Sequence, residues 1–325
     1  MRPVVRPVPG LVVLLGLAVV ARSVGGATPL SPLVVAIASG ALLAATVGTP
    51  AWAEPGLDRY KLLLETGIVL LGAQLTLAQL ATTGPTVVAL AAAVVVVGVL
   101  FVELVGRQAG IEGRTRSLLA AGASVCGVSA VLAVAGSVDG DEADISYAAG
   151  TVLLFDAVTL VAFPALGAVL GLPDRVFGVW AGLSLFSTGP AAAVGFAVSE
   201  TAGQWATVTK LVRNTFIGVL AVGYAVFYAT DGERASPSVV WYRFPKFLVG
   251  FLLVAGIVNA GLVGPGTQAA VARVGDWLFT LAFVGLGFEL NPRRLRATGL
   301  RPILVVLAHL VTVSLLALAG VTLLL

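Results

Sequence analysis

Charge is scarce in this chain: 11% of its 325 residues are Asp, Glu, Lys or Arg, against 58% hydrophobic. The mean hydropathy is +1.04. A soluble domain of that composition would leave extensive apolar surface open to water, so the chain is expected to lie in a bilayer. No extended stretch lacks a long apolar run, which leaves no room for an extramembrane domain. Residues 1–325 are therefore read as a single transmembrane domain in the cell membrane.

Cysteine is almost absent. Cys126, the only one, lies inside an apolar run, which excludes a disulfide framework and a cysteine metal cluster. The chain has no HExxH, Walker or GxSxG pattern, so neither catalytic residues nor a resident metal are expected, and the chain is not read as an enzyme. Its single histidine, His309, falls in the last apolar run, as a hydrogen-bonded packing residue or a proton relay. Lysine occurs only at 61, 210 and 246. The formal charge of +3 and the pI near 9.3 come from basic residues dispersed among short inter-span segments. Without one basic patch, nucleic acid is not an expected partner, whereas membrane lipid is.

What the chain does have is apolar runs of spanning length, about 17 to 25 residues for a hydrocarbon core about 30 Å thick. About eleven are read: 9–21, 30–48, 62–80, 86–105, 117–136, 146–170, 176–198, 203–228, 245–264, 275–290 and 302–325. The first is short and closed by Arg22, so an interfacial helix is the alternative there. A cleaved signal peptide is not expected. The fold class is thus all-α, a polytopic transmembrane helix bundle. Cytoplasmic loops should carry the excess of Lys and Arg. Alternate loops do so, with Arg59 and Lys61; Arg107, Arg114 and Arg116; Arg175; Arg234, Arg243 and Lys246; and Arg293, Arg294, Arg296 and Arg301. The acidic loop with Asp139, Asp141, Glu142 and Asp144 is expected on the opposite side. If the first run crosses, Arg2 and Arg6 put the N-terminus inside and the C-terminus outside.

Internal repetition points to a transporter architecture. Leu71-Gly72-Ala73-Gln74-Leu75, with Leu80 and Thr83-Gly84, recurs as Leu286-Gly287-Phe288-Glu289-Leu290, with Leu295 and Thr298-Gly299, at a constant offset of 215. The copies fall in the third and tenth runs, a separation of seven spans, which gives them opposite orientation, the pattern of an inverted repeat. Two further segments are poor continuous helices: 122–129 and 182–190, each led by Ala-Gly-x-Ser at 121–124 and 181–184. Such discontinuous helices in a membrane either pack closely or end at a site where half-helix N-termini meet an anion.

Three ionisable groups fall deep inside runs, where a charge costs about 2.5 to 3.5 kcal/mol on insertion scales. They are Asp156, Lys210 and Arg213. Thr207, Lys210, Arg213 and Asn214 share one helix face. Two cations with a hydroxyl and an amide suit an oxyanion. A buried ion pair with Asp156 that fixes packing is the alternative, and the two are compatible. Ser124, Ser129, Ser184 and Ser187 would line the cavity. Glu103 and Glu289 sit at span ends, within reach of headgroups.

These residues also carry a resemblance. The run 150–156 ending in Asp156, Phe163-Pro164-Ala165-Leu166-Gly167, Phe177-Gly178-Val179-Trp180-Ala181-Gly182, 206–213 with Lys210 and Arg213, 124–130 and 67–80 together resemble the YeiH-type family of sulfate exporters. The likeness runs from about residue 30 to the C-terminus. It implies kinship with the cation-antiporter and bile-acid-symporter fold, with inverted repeats and discontinuous helices. After Ala181-Gly182 that family carries an amide or histidine and then an acid, where this chain has Phe186-Ser187-Thr188-Gly189-Pro190. The missing carboxylate implies that Asp156 takes over any coupling role, or that the solute differs.

The expected function is secondary transport of a small anion by alternating access, with Lys210 and Arg213 contacting the anion and Asp156 as countercharge or coupling site. A sodium- or proton-coupled cation antiporter is the alternative, and a non-transporting receptor or assembly subunit is the alternative of another class. No cofactor is expected beyond a coupling proton or Na+, and a homodimer is one expected assembly.

Overall fold

The computed structural model describes residues 7–28, 31–74, 77–228, 246–289 and 300–325. Among them every regular element is helical. In chain order these are α1 (Val8–Ala27), α2 (Pro32–Thr46), α3 (Glu54–Leu57), α4 (Tyr60–Leu71), α5 (Leu77–Gln108), α6 (Gly113–Ala121), α7 (Val128–Ala135) and α8 (Glu142–Leu170). They continue with α9 (Asp174–Ser184), α10 (Thr188–Val198), α11 (Glu200–Asn214), α12 (Phe216–Tyr228), α13 (Lys246–Asn259), α14 (Pro265–Glu289) and α15 (Leu300–Leu324). Among the described residues six stretches are long and apolar enough to cross a bilayer: Val8–Ala27, Thr83–Gln108, Glu142–Leu170, Glu200–Tyr228, Pro265–Glu289 and Leu300–Leu324. The eleven runs read from the sequence do not all return as single helices, because several are interrupted.

The chain is organised as two compact units, one of Met1–Ala81 with Lys246–Arg294 and one of Thr82–Pro245 with Leu295–Leu325. In the first, α1 buries a stripe of small and aliphatic residues, Gly10, Leu14, Ala18 and Ala21, at helical spacing. It does not stop at Arg22. The guanidinium lies 4.5 Å from the Trp277 ring centroid, which lets a cation sit inside a helix of full spanning length. In the same unit α4 meets α14 through Tyr60 against Gly285, Gly67 against Leu278 and Phe279, and Leu70 against Gly275. Numbers rise on one helix as they fall on the other, so the two run antiparallel, as expected of the matched segments. Glu289, at the end of α14, pairs with Lys61 at 3.0 Å. Leu75, Leu290, Leu295, Thr298 and Gly299, the remainder of that match, lie outside the described residues.

The second unit departs from the sequence expectation in an informative way. Thr115 on α6 donates to Asp144, Leu118 abuts Gly140, and Gly122 abuts Val131. The chain therefore enters along α6, reverses near 126–127 and leaves by the same end. Residues 113–135 form a hairpin, not a span. The second interrupted run behaves likewise. Gly178 and Gly182 on α9 abut Ala202 with Trp205 and Ala206 with Thr209, so α9 runs parallel to α11. Gly195 on α10 abuts Ala202 and Ala206, and Thr188 bonds Asn214, so α10 runs antiparallel to it. Residues 174–198 are a second hairpin.

The two hairpins enter from opposite ends. The base of the first meets the start of α8 through Asp144 and the end of α12 through Tyr228, whose hydroxyl is 3.0 Å from Ser117 Oγ. The base of the second meets the far end of α8, where Gly167 abuts Phe177, and the start of α11 at Ala202. Each arm of the second hairpin has 11 residues and is about 16 Å long, so this hairpin reaches about halfway across a 30 Å core. This arrangement corrects the expected sidedness. Arg107, Arg114 and Arg116 share an end of the unit with the acidic residues Asp139 to Asp144, and Arg175 lies at the other end. Arg301, beside Gly110, joins the first group.

Aromatic packing holds the second unit around the hairpins. Trp180 on α9 stacks on Phe163 of α8 at 4.5 Å between centroids and donates Nε1–H to the Ser314 carbonyl of α15 at 2.9 Å. At mid-height Phe155, Phe186, His309 and Phe101 form a continuous ring chain. Each such pair adds about 0.5–1.5 kcal/mol beyond its buried area.

Candidate functional site

The hairpin tips meet at the centre of the second unit. At the first tip α6 widens into a π-helical turn, Gly122–Cys126, and the chain reverses at Gly127, with φ +70° and ψ −140°. Only glycine adopts that conformation without strain. A Cβ there would also lie 2.0 Å from Ser187 Oγ, so the close approach of the tips needs the missing side chain. At the second tip α9 ends at Ser184, Leu185 is extended, and α10 begins at Thr188. Pro190 falls in the first turn of α10, where a missing N–H costs no intrahelical bond.

Reversals at this depth strand backbone carbonyls in a low-dielectric interior, which is tolerated only if protein groups satisfy them. Lys210 and Arg213, on α11, do so. Lys210 Nζ donates to Val125 O at 2.7 Å and Leu185 O at 2.8 Å. Arg213 donates from Nε to Ser124 O at 2.7 Å, from Nη2 to Ala123 O at 2.7 Å, and from Nη1 to Leu183 O and Leu185 O at 2.7 and 2.8 Å. Both side chains are fully buried. Each cation thus bridges both tips. The carbonyl ends of α6 and α9 are also the negative ends of their dipoles, so the charges are placed where helix ends favour them.

Asp156, on α8 and 1% exposed, serves the opposite polarity: its Oδ1 accepts the Ser187 backbone N–H at 3.1 Å, at the positive end of α10. Asn214, 3% exposed, donates Nδ2–H to Thr188 Oγ1 at 2.9 Å, and its Oδ1 has no hydrogen-bond partner. Ser124 is buried, with Oγ 3.3 Å from His309 Nε2, and the imidazole lies between the rings of Phe101 and Phe186. Thr207 bonds back to the Gly203 carbonyl at 2.7 Å within its own helix. Ser184 is buried and its hydroxyl has no partner; Ser187 is half-buried; Ser129, in the first turn of α7, is exposed. Sequence reasoning overlooked Thr188 and Gly127. Glu103, read from the sequence as within reach of headgroups, is instead held inside the unit. Glu103 accepts from Arg116 Nε at 2.7 Å, Ser117 Oγ at 2.6 Å and Tyr224 OH at 2.7 Å, tying α5, the first hairpin and α12 together.

The charge at the tips does not cancel. Two cations contribute +2 and Asp156 contributes −1. Helix ends carry about half a charge each, so the two carbonyl ends and the two amide ends offset one another. About one positive charge remains, with the N-termini of α7 and α10 both at the tips and neither capped by its own N-cap side chain. Such an arrangement is suited to an anion.

Known proteins place the chain by family. The family model for conserved hypothetical protein 698 matches residues 9–306. A UPF0324 membrane protein of Nitratidesulfovibrio vulgaris is 31% identical, over 92% of this chain and 88% of its own length. A second from the same organism is 32% identical over 80% of this chain, and UPF0324 membrane protein RB9488 of Rhodopirellula baltica is 31% identical over 80%. The chain spans about half the length of these last two, 48% and 51%. No solved structure matches it. With six helical stretches of spanning length among its described residues, this chain is an integral membrane protein and belongs to the conserved hypothetical protein 698 family of UPF0324 membrane proteins.

Proposed function

We propose that the protein is a secondary transporter of a small anion of the sulfate class, working by alternating access around the two hairpin tips. The observation that carries the reading is the opposed pair of tips bridged by Lys210 and Arg213. A site at mid-depth, reached from either end by a hairpin of its own, is built for exposure to one side at a time. A receptor or assembly subunit has no need of backbone broken at that depth.

The roles differ from the simplest sequence reading. Lys210 and Arg213 hold the carbonyl ends and supply the field, and the anion is bound by the amide ends of α7 and α10 with the hydroxyls of Ser187, Thr188 and Ser129. The positive surplus weighs against a cation antiporter that works through Asp156 alone. No enzyme chemistry and no resident cofactor enter the reading.

Radiolabelled sulfate counterflow in proteoliposomes tests it. Sulfate-loaded vesicles with the wild-type protein are expected to accumulate label transiently, and unlabelled thiosulfate or sulfonates to compete. Folded protein that supports no counterflow with any of these anions overturns the reading.

A further inference from the structure

The tips contain one feature that an anion does not explain. Asn214 Oδ1 is a buried acceptor with no partner, on an amide whose nitrogen is engaged by Thr188. Thr188 follows Ser187, whose backbone N–H is held by Asp156. A carboxylate, an amide oxygen and a hydroxyl oxygen therefore flank the first turn of α10, and oxygen ligands of this kind suit a hard cation. The charge sum leads to the same place. A surplus of about one positive charge neutralises half of a dianion, and a bound dianion would leave about one negative charge in a buried site. One monovalent cation closes that balance.

We infer that Asp156, Thr188 and Asn214 form an alkali-cation site that binds one Na+ together with a divalent anion. The inference rests on the anion reading for its coupling, and on Asn214 for its location. Na+ and dianion each lower the electrostatic cost of admitting the other, so their binding is mutually reinforcing, as linkage requires. A monovalent anion gains less from the cation, because the site alone already balances its charge and its attraction to Na+ is about half that of a dianion. Selectivity for dianions then follows from sodium dependence.

The test is the melting temperature of the purified protein in detergent, in a matrix of sodium against choline and sulfate against gluconate. Sodium and sulfate together are expected to stabilise it by more than the sum of their separate shifts. Asn214→Ala is expected to lose the sodium-dependent part and keep the sulfate shift. Asn214→Asp keeps an oxygen and has no donor, and is expected to retain the sodium dependence. Sulfate that stabilises equally in sodium and in choline overturns the cation site and leaves the anion reading standing. Sodium that stabilises without any effect of sulfate, lost in Asn214→Ala, supports the site and removes the dianion coupling. If Asn214→Asp loses the sodium effect while still folded, Oδ1 is not a ligand and the assignment fails.

Discussion

Arg213 ties the two hairpin tips together from a single side chain. Its guanidinium accounts for four hydrogen bonds to carbonyls of both tips, all at 2.7–2.8 Å. Arg213→Ala would strip its donors from the buried Ala123, Ser124 and Leu183 carbonyls, at about 1–3 kcal/mol each, while Leu185 O keeps Lys210; that loss is a large part of the stability of a typical domain. Loss of monodisperse protein on size exclusion is expected. A folded Arg213→Ala protein with a wild-type melting temperature would mean that the bridge is not structural. Asp156→Asn is expected to behave differently, since an amide oxygen still accepts from Ser187 N–H. It should fold and elute normally while sulfate counterflow falls at least tenfold. These two outcomes separate a residue that builds the site from one that sets its charge.

At this scale the sequence was partly legible. Buried charge is expensive, so Asp156, Lys210 and Arg213 stood out against their apolar runs. Their partners did not, because Lys210 and Arg213 bind backbone carbonyls, and a carbonyl leaves no mark in a sequence. Thr188 and Asn214 illustrate the same limit. Asn214 was placed on the cationic face by helical spacing, but its partner Thr188 comes from the tip of the second hairpin, 26 residues away in the chain.

Among the elements, the hairpins are what composition concealed. The runs 117–136 and 176–198 are as apolar and nearly as long as true spans, and hydropathy measures solvent preference without measuring chain reversal. The Gly and Ser residues at 122–129 and 182–190 correctly signalled breaks. What they did not signal was direction, which hangs on a single positive φ at Gly127 and on an extended Leu185. Gly127→Ala, strained in backbone and in contact with Ser187, is expected to lower the melting temperature measurably and to abolish counterflow by parting the tips. The first hairpin is also anchored at its base by Glu103. Glu103→Gln weakens hydrogen bonds from Arg116, Ser117 and Tyr224, and a loss of about 2 kcal/mol is expected in a denaturation series, in the range for bonds to a charged group. Unchanged stability would show that the base network is dispensable.

For the molecule as a whole, the fold class and the membrane setting were fully readable, because 58% hydrophobic residues with 11% charged ones admit little else. Sidedness was not, since two runs counted as crossings turn back. The correction is testable by labelling single cysteines in a Cys126→Ala background with an impermeant maleimide. Asp139→Cys and Arg114→Cys are expected to react from the same side, and Arg175→Cys from the other. Opposite labelling of Asp139→Cys and Arg114→Cys would restore the first hairpin to a span. The same chemistry, applied at the tips, examines the central claim most directly. Ser129→Cys and Ser187→Cys sit on different hairpins, and one anion between the tips should shield both. Sulfate is expected to slow maleimide labelling at both positions and to leave Asp139→Cys unaffected; equal rates with and without sulfate at both tip cysteines would show that the anion does not bind there.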